Sequence, residues 1–466
     1  MRSGANTAEP RLARRLGTFD ITMIVMGGII GSGIFVTPSV VARQLHSTVL
    51  LLAAWMFGGL IALAGAFIWA ELAARRPLAG GQYAYLREAY HPLVAFLYGW
   101  ALLLVIQTGG MAAGAVTFAR YLSGLVPLPI PEPAIAVILL AALTLINIAG
   151  VRAGSTVQSG FMLLKILAIV AWIACGLALA ATRGGPGIVS GGETISPPAP
   201  PPTPPLSLAL AALFGAAMVP VLFSYGGWQT ATFVAAEVRD PARALPRGLL
   251  IGVLGVIVLY VAANLVCVRV LGIEGLAAST RPATDIMSAA LGEPGARLIS
   301  AGIAISAAGF LSQSMLTAPR VYYAMADHGL FFRPVAWLHP RSHAPVVAIG
   351  LQGLLAIVIA LTGGFEQILS YVVSADWIFF GLTACAVFAL RRHDAATGAA
   401  ARAPGAVPLI PGHPWTTLGF GLISALLVIN TIVHYPANTA IGIGILLLGV
   451  PVYFFWSRRA SRHPRP

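Results

Sequence analysis

About twelve apolar stretches of roughly 20 residues recur along this chain, near 18–43, 48–72, 92–122, 133–151, 156–181, 207–236, 246–271, 294–325, 345–362, 366–390, 414–434 and 438–456. Each is long enough to cross about 30 Å of hydrocarbon. Hydrocarbon offers the backbone no hydrogen-bond partner, so a spanning segment must satisfy its own N–H and C=O groups, and a helix does this. The sequence is 58% hydrophobic and 9% charged, which excludes a soluble globular domain. The expected class is therefore all-α: a polytopic membrane protein of about 12 transmembrane helices.

The basic residues set an orientation. With the N-terminus inside, Arg2, Arg11, Arg14, Arg15, Arg75, Arg76, Arg87, Arg152, Arg239, Arg243, Arg247 and the arginines from Arg320 through Arg465 fall on the cytoplasmic side. Arg43, Arg120, Arg183, Arg269, Arg281 and Arg297 fall outside. That asymmetry puts both termini in the cytoplasm. The net charge of +13 is then a topology signal and calls for no nucleic-acid partner; the basic tail can also meet anionic lipid headgroups. The first 17 residues are polar and basic and lead into a full-length span, so no cleavable signal peptide is expected. Cys175, Cys267 and Cys385 lie within predicted spans, with no metal-ligand spacing. No nucleophile–base constellation stands out, so neither an enzyme nor a cofactor is expected.

Two of the apolar spans are interrupted by glycine in corresponding places. The first reads Gly27-Gly-Ile-Ile-Gly31-Ser32-Gly33, and the second, in the sixth span, reads Phe223-Ser-Tyr-Gly226-Gly227-Trp228. A packing motif of small residues is one reading of such glycines. Paired interruptions, however, mark the binding site of an inverted-repeat transporter. They divide the chain into an N-terminal segment (1–17), a first five-helix repeat (18–181), a Pro-rich loop on the outer face (182–206), a second five-helix repeat (207–390), helices 11 and 12 (391–456) and a basic tail (457–466). Because five is odd, the repeats are oppositely oriented. The run Ser196–Pro205 is expected as an extended polyproline spacer. Segment 273–293 is expected as an external loop with a short helix able to act as a lid, and the glycines of Pro77–Tyr83 suit a tight re-entry before span three.

A broken helix exposes carbonyls at one end and N–H groups at the other, with partial charges of about −0.5 and +0.5. A zwitterion fits between them. Its ammonium would meet the carbonyls of Ile29 and Ile30, before Gly31, and its carboxylate the N–H groups near Ser32 and Gly33. The second break offers the carbonyls of Phe223 and Ser224, and Gly226 removes a side chain that would block approach.

Charged residues in the spans are few. Lys165, the only lysine, lies near the middle of span five, where a charge costs at least ~2.5–3.5 kcal/mol on insertion scales. It should face the bundle interior and bond carbonyls freed by the first break, either as a fixed cationic strut or as a proton carrier. Asp376 and Trp377 lie mid-depth in span ten; Asp376 could bind a cationic substrate, relay a proton, pair with Lys165, or bond to nearby backbone or hydroxyl groups. Ser312 and Ser314 in span eight are weaker candidates, since serine in a membrane helix often bonds its own backbone. Glu71 and Glu237 sit at span ends near Arg75, Arg76, Arg239, Arg243 and Arg247, either as gating ion pairs or as solvated charges. His339 and His343 are four apart, but Pro340 and Pro345 argue against a helix presenting both to a metal.

The runs Gly28–Phe35, Pro77–Tyr83, Phe223–Trp228, Glu237–Pro241 with Leu245-Pro-Arg247, and Thr317-Ala-Pro-Arg320-Val-Tyr-Tyr together resemble the amino acid–polyamine–organocation superfamily. The Tyr-Gly-Gly-Trp form is most similar to its L-type amino acid transporter branch and bacterial relatives. The resemblance covers nearly the whole chain. It implies a LeuT-type inverted repeat of five plus five helices, with helices one and six broken, and alternating access for amino acids. It also implies substrate roles for Ile29, Ser32, Gly33, Phe223 and Gly226, with Phe223 as a gate, and a side-chain pocket lined by Trp377. Lys165 is similar to the span-five lysine of sodium-independent members. Animal L-type members carry a cysteine between spans three and four that bonds a glycoprotein subunit. The loop 123–132 has none, so no disulfide-linked heavy subunit is expected.

The expected function is sodium-independent carriage of small or medium neutral amino acids across a bacterial inner membrane, by exchange or proton coupling. The alternatives are a cationic amino acid or polyamine carrier using Asp376, and an amino acid sensor that moves nothing.

Overall fold

The apolar stretches are helices in the computed structural model of the chain, which describes residues 12–127, 129–183, 208–362, 365–398, 409–434 and 436–462. The proline-rich run and the end of the basic tail lie outside the described residues. In chain order the helices are α1 (Thr18–Ile29), α2 (Thr37–Leu45), α3 (Thr48–Arg75), α4 (Gln82–Ala89), α5 (Pro92–Ala101), α6 (Gln107–Leu125), α7 (Glu132–Ile148), α8 (Val151–Arg183) and α9 (Leu208–Ser224). They continue with α10 (Pro241–Ala278), α11 (Pro282–Leu291), α12 (Glu293–Thr317), α13 (Pro319–Asp327), α14 (Val346–Thr362), α15 (Phe365–Thr397), α16 (Trp415–His434) and α17 (Pro436–Arg462). Among the described residues, eight helical segments are long and apolar enough to cross a membrane, and α1, α7 and α14 are shorter apolar helices.

Sequence features explain where helices start and bend. Proline stands at the first or second position of α5, α10, α11, α12 and α13, where its missing N–H costs nothing. Gly17 N–H donates to Asp20 Oδ2 at 2.8 Å, closing the start of α1. The third span carries a π turn at Leu102–Ile106 between α5 and α6, with Thr108 Oγ1 donating to Leu103 O. Several helices outrun their apolar stretch: α10 begins at Pro241, before the expected 246, and α15 reaches Thr397. Hydropathy marks the hydrocarbon crossing, and a polar helical end continues past it.

Both glycine-marked spans are broken. Span one is α1, a short 3₁₀ turn at Gly33–Phe35, then α2. Span six is α9 followed by a ten-residue 3₁₀ stretch, Trp228–Glu237. Several packings between the first five spans and the second five recur when the two sets are exchanged. α1 packs on α10 as α9 packs on α3, and α8 packs on α12 as α15 packs on α6. α6 meets α14 as α12 meets α7, while α3 pairs with α10, α6 with α12, and α7 with α14. Even the short helices correspond, α4 lying on α15 as α11 lies on α8. α16 and α17 stand outside these correspondences.

Segment 273–293 and the loop Pro77–Tyr83 both lie among the described residues. α11 is the short helix within 273–293, and Arg43 of α2 donates to the carbonyls of Ala277 and Ser279 beside it, at 3.1 Å each. Gly80 and Gly81 have φ of +84° and +44°, values favourable only to glycine. A Cβ on Gly81 would lie 2.6 Å from the Thr232 carbonyl oxygen, so the loop presses against span six.

Candidate transport site

The two breaks meet backbone to backbone. A Cβ on Gly28 would fall 2.6 Å from Gly227 O, and one on Gly227, whose φ is +105°, would fall closer still to Gly28 O. Glycine at both places allows this approach.

The carbonyls freed in span one are claimed by side chains from three other helices. Lys165 on α8 is fully buried and donates to Gly27 O at 3.2 Å and Ile30 O at 2.5 Å. Tyr260 on α10 donates to Ile29 O at 3.1 Å, and Ser306 on α12 donates to Gly31 O at 2.9 Å. Gln158 on α8 donates to Met23 O at 2.7 Å. The N–H groups behave differently: among the described residues, none accepts from those of Gly31, Ser32 or Gly33. A Cβ built on Gly31 would have nothing within 4 Å. The break thus has an occupied carbonyl side and an open N–H side. Each carbonyl retains a second lone pair, so Ile29 and Ile30 are not closed to a further donor.

In span six, Phe223 O accepts from Gly226 N–H at 3.1 Å, and Ser224 Oγ donates to Pro220 O and to Thr37 Oγ1 of α2 at 2.9 and 3.0 Å. Phe223 is 38% exposed. Gly226 faces a small pocket with Ile61, Ala62, Leu222, Tyr225, Trp228, Trp377, Phe380 and Phe420. The pocket wall is largely aromatic, with Trp377, Phe380 and Phe420 packed ring against ring.

One expectation about Asp376 is corrected. Among the described residues no ion pair joins it to Lys165, because the lysine is committed to the carbonyls of α1. Asp376 Oδ1 is buried with no hydrogen-bond partner. Ser312 and Ser314 are also buried with unpartnered hydroxyls, so neither bonds its own backbone. The α12 hydroxyl that reaches the break is Ser306.

The span-end carboxylates are not solvated. Glu71 accepts from Arg75 Nε at 2.9 Å, from Arg391 Nε and Nη2 at 2.7 Å each, and from Ile410 N–H. Asp394 accepts from both Arg75 and Arg76 at 2.6 Å. Glu237 does not pair with Arg239, Arg243 or Arg247; its partner is Arg320 on α13, through Nε at 2.7 Å and Nη2 at 3.2 Å. Both side chains of that pair are 1% exposed. Tyr260, Ser306, Arg320 and Arg391 are the site residues that sequence reasoning misses. Arg320 stands inside the Thr317–Tyr323 motif, but its partner lies 83 positions away.

Comparison with known proteins gives the family. The chain is 29% identical to the serine/threonine exchanger SteT of Bacillus subtilis (strain 168), over 98% of this chain and 100% of that protein. It is 30% identical to the large neutral amino acids transporter small subunit 2 of Mus musculus, over 96% of this chain and 82% of the relative. It is 26% identical to the b(0,+)-type amino acid transporter 1 of Mus musculus, over 97% and 91%. Residues 16–456 match the amino acid permease family, and the chain belongs to that family, a multi-pass membrane transporter of the amino acid–polyamine–organocation superfamily.

Proposed function

We propose that this permease carries small or medium neutral amino acids without sodium, across a bacterial inner membrane, by alternating access and with both termini in the cytoplasm. The observation that carries the reading is the asymmetry of the first break. Its unpaired N–H groups at Gly31, Ser32 and Gly33 suit a carboxylate, while the ammonium of Lys165 already bonds Gly27 O and Ile30 O. A built-in cation at these carbonyls removes the need for a sodium ion there. The substrate ammonium then uses the second lone pairs of Ile29 and Ile30 and the carbonyls of span six. The apolar wall of Trp377, Trp228 and Phe380 takes a side chain without charge. The movement is by exchange or by proton coupling; SteT is a serine/threonine exchanger. The loop 123–132 carries no cysteine, so no disulfide-linked subunit enters this reading.

The test is counterflow in proteoliposomes with each common amino acid, in sodium and in choline buffer. Uptake of labelled serine, threonine or leucine at equal rates in the two buffers is expected. A strong sodium requirement overturns the sodium-free reading, and absence of counterflow for every amino acid overturns the carrier reading itself.

A further inference from the structure

Three different spans each carry a buried polar atom without a partner: Asp376 Oδ1 and the hydroxyls of Tyr98 and Tyr322. Asp376 lies one turn before Phe379 and Phe380 on α15, so these residues share a side of the helix. Phe380 lines the aromatic pocket, and the ring of Phe379 stands 5.3 Å from that of Tyr98 on α5. Tyr98 is fully buried and its hydroxyl has no partner. The same holds for Tyr322 on α13. Tyr98 stands within electrostatic reach of both Asp376 and Tyr322.

Among the described residues, no charged side chain pairs with the carboxyl. Of the elements packed against α15, α14 and the π turn carry no titratable side chain. α3 brings Glu71 and Arg75 to the Arg391 end of α15, 15 residues from Asp376 and so about 22 Å along the helix. α4 brings Arg87 and Glu88 to that end, where Glu88 binds Arg76, together with Tyr83 and Tyr85. α17 brings Tyr453 and Arg458, Tyr453 packing on His91 and Phe96 at the start of α5. α6 has Arg120 and Tyr121 far from the π turn, and α16 has His434 at its last residue. A bare carboxylate at this depth is costly, and leaving its oxygen without a donor adds to the cost. A proton removes the charge, and the neutral carboxyl then carries an O–H donor of its own.

The cluster is also wired to the end of the molecule closed by Glu237. Gly99, next to Tyr98, faces Met325 of α13 so closely that a Cβ there would run into its Sδ. Tyr322 is two residues beyond Arg320, which binds Glu237. The π turn, a form found mainly at functional sites, packs on α15 just past Tyr98.

We propose that Asp376, with the hydroxyls of Tyr98 and Tyr322, is a proton-binding site that couples proton uptake to amino acid movement. This rests on the carrier reading above and chooses proton symport for it. The carboxylate takes H⁺ from water on the side where protons are abundant, forming one O–H bond. That bond breaks when the site opens to the other side and H⁺ passes to water, so one proton travels with each amino acid and no electrons move.

The experiment uses the full chain in liposomes held at zero membrane potential, with a pH-sensitive dye inside and labelled L-serine and L-leucine as probes. The wild type is expected to acidify the lumen only when amino acid is added, and to accumulate it about tenfold per unit of pH gradient. In Asp376→Asn the ratio of gradient-driven uptake to equal-pH counterflow should fall at least tenfold. Tyr98→Phe should lower the same ratio by a smaller factor, which decides the matter even where Asp376→Asn does not fold. Wild-type counterflow with no dye response, or both variants keeping the wild-type ratio, overturns the proton site and leaves the carrier standing. Failure of counterflow with every amino acid sinks the carrier reading and this proposal with it.

Discussion

Arg320 and Glu237 form a two-point ion pair with both side chains 1% exposed, joining α13 to the end of the broken sixth span. A surface pair is worth little. A buried one is different, because removing either partner leaves an uncompensated charge and costs about 3–5 kcal/mol. Arg320→Ala should therefore lower the melting temperature in detergent by several degrees. Replacing both residues by apolar side chains of similar volume should recover most of the loss. If the single variant melted with the wild type, the pair would not hold this end closed.

Lys165 donates to Ile30 O at 2.5 Å and to Gly27 O at 3.2 Å. Its removal leaves two buried carbonyls without a donor and the break without its cation. Lys165→Ala should cut counterflow at least tenfold in sodium-free buffer. If these carbonyls then accept sodium in place of the ammonium, added sodium should restore part of the activity. Uptake assays at graded sodium concentrations, on wild type and variant, decide this. Dependence on sodium in the wild type would contradict the role given to the lysine.

The breaks are readable from sequence because glycine clusters at membrane depth give up backbone hydrogen bonds that hydrocarbon cannot replace. Lys165 is readable because a lone mid-span lysine must find acceptors. Which side chains claim the other carbonyls is not readable. Tyr260 and Ser306 act across 231 and 275 positions of sequence, and nothing local to either residue distinguishes it from a tyrosine or serine that merely packs. Glu237 shows the same limit in another form. Its near neighbours Arg239, Arg243 and Arg247 look like natural partners, yet helix packing delivers Arg320 instead. Hydropathy locates the spans well and their ends poorly, since a polar end carries the same helical backbone as an apolar middle.

Trp377 closes one side of the pocket against Phe380 and Phe420, with ring centroids 5.3 and 5.9 Å away. Truncating it should enlarge the space open to a side chain. A missing methylene-sized contact changes selectivity by about 10–200-fold, so Trp377→Ala should shift preference toward leucine and phenylalanine by roughly that range relative to serine. Competition against a fixed labelled substrate measures it. An unchanged ranking would place side-chain recognition elsewhere.

The glycines of the two breaks do separate jobs, and alanine distinguishes them. A methyl group on Gly28 or Gly227 would enter the opposing backbone, and Gly227 also holds a φ of +105° that alanine adopts only with strain. Neither clash can be relieved by moving a flexible side chain. Gly28→Ala and Gly227→Ala should therefore lower both melting temperature and transport. Gly31 has nothing within 4 Å of the same position, so Gly31→Ala should fold with a melting temperature close to that of the wild type. Its methyl group would sit beside the open N–H groups where the substrate carboxylate belongs. The expected result is a raised KM for amino acid at unchanged stability, measured by uptake and thermal unfolding side by side. A Gly31→Ala protein with wild-type KM would mean that the carboxylate is held somewhere else.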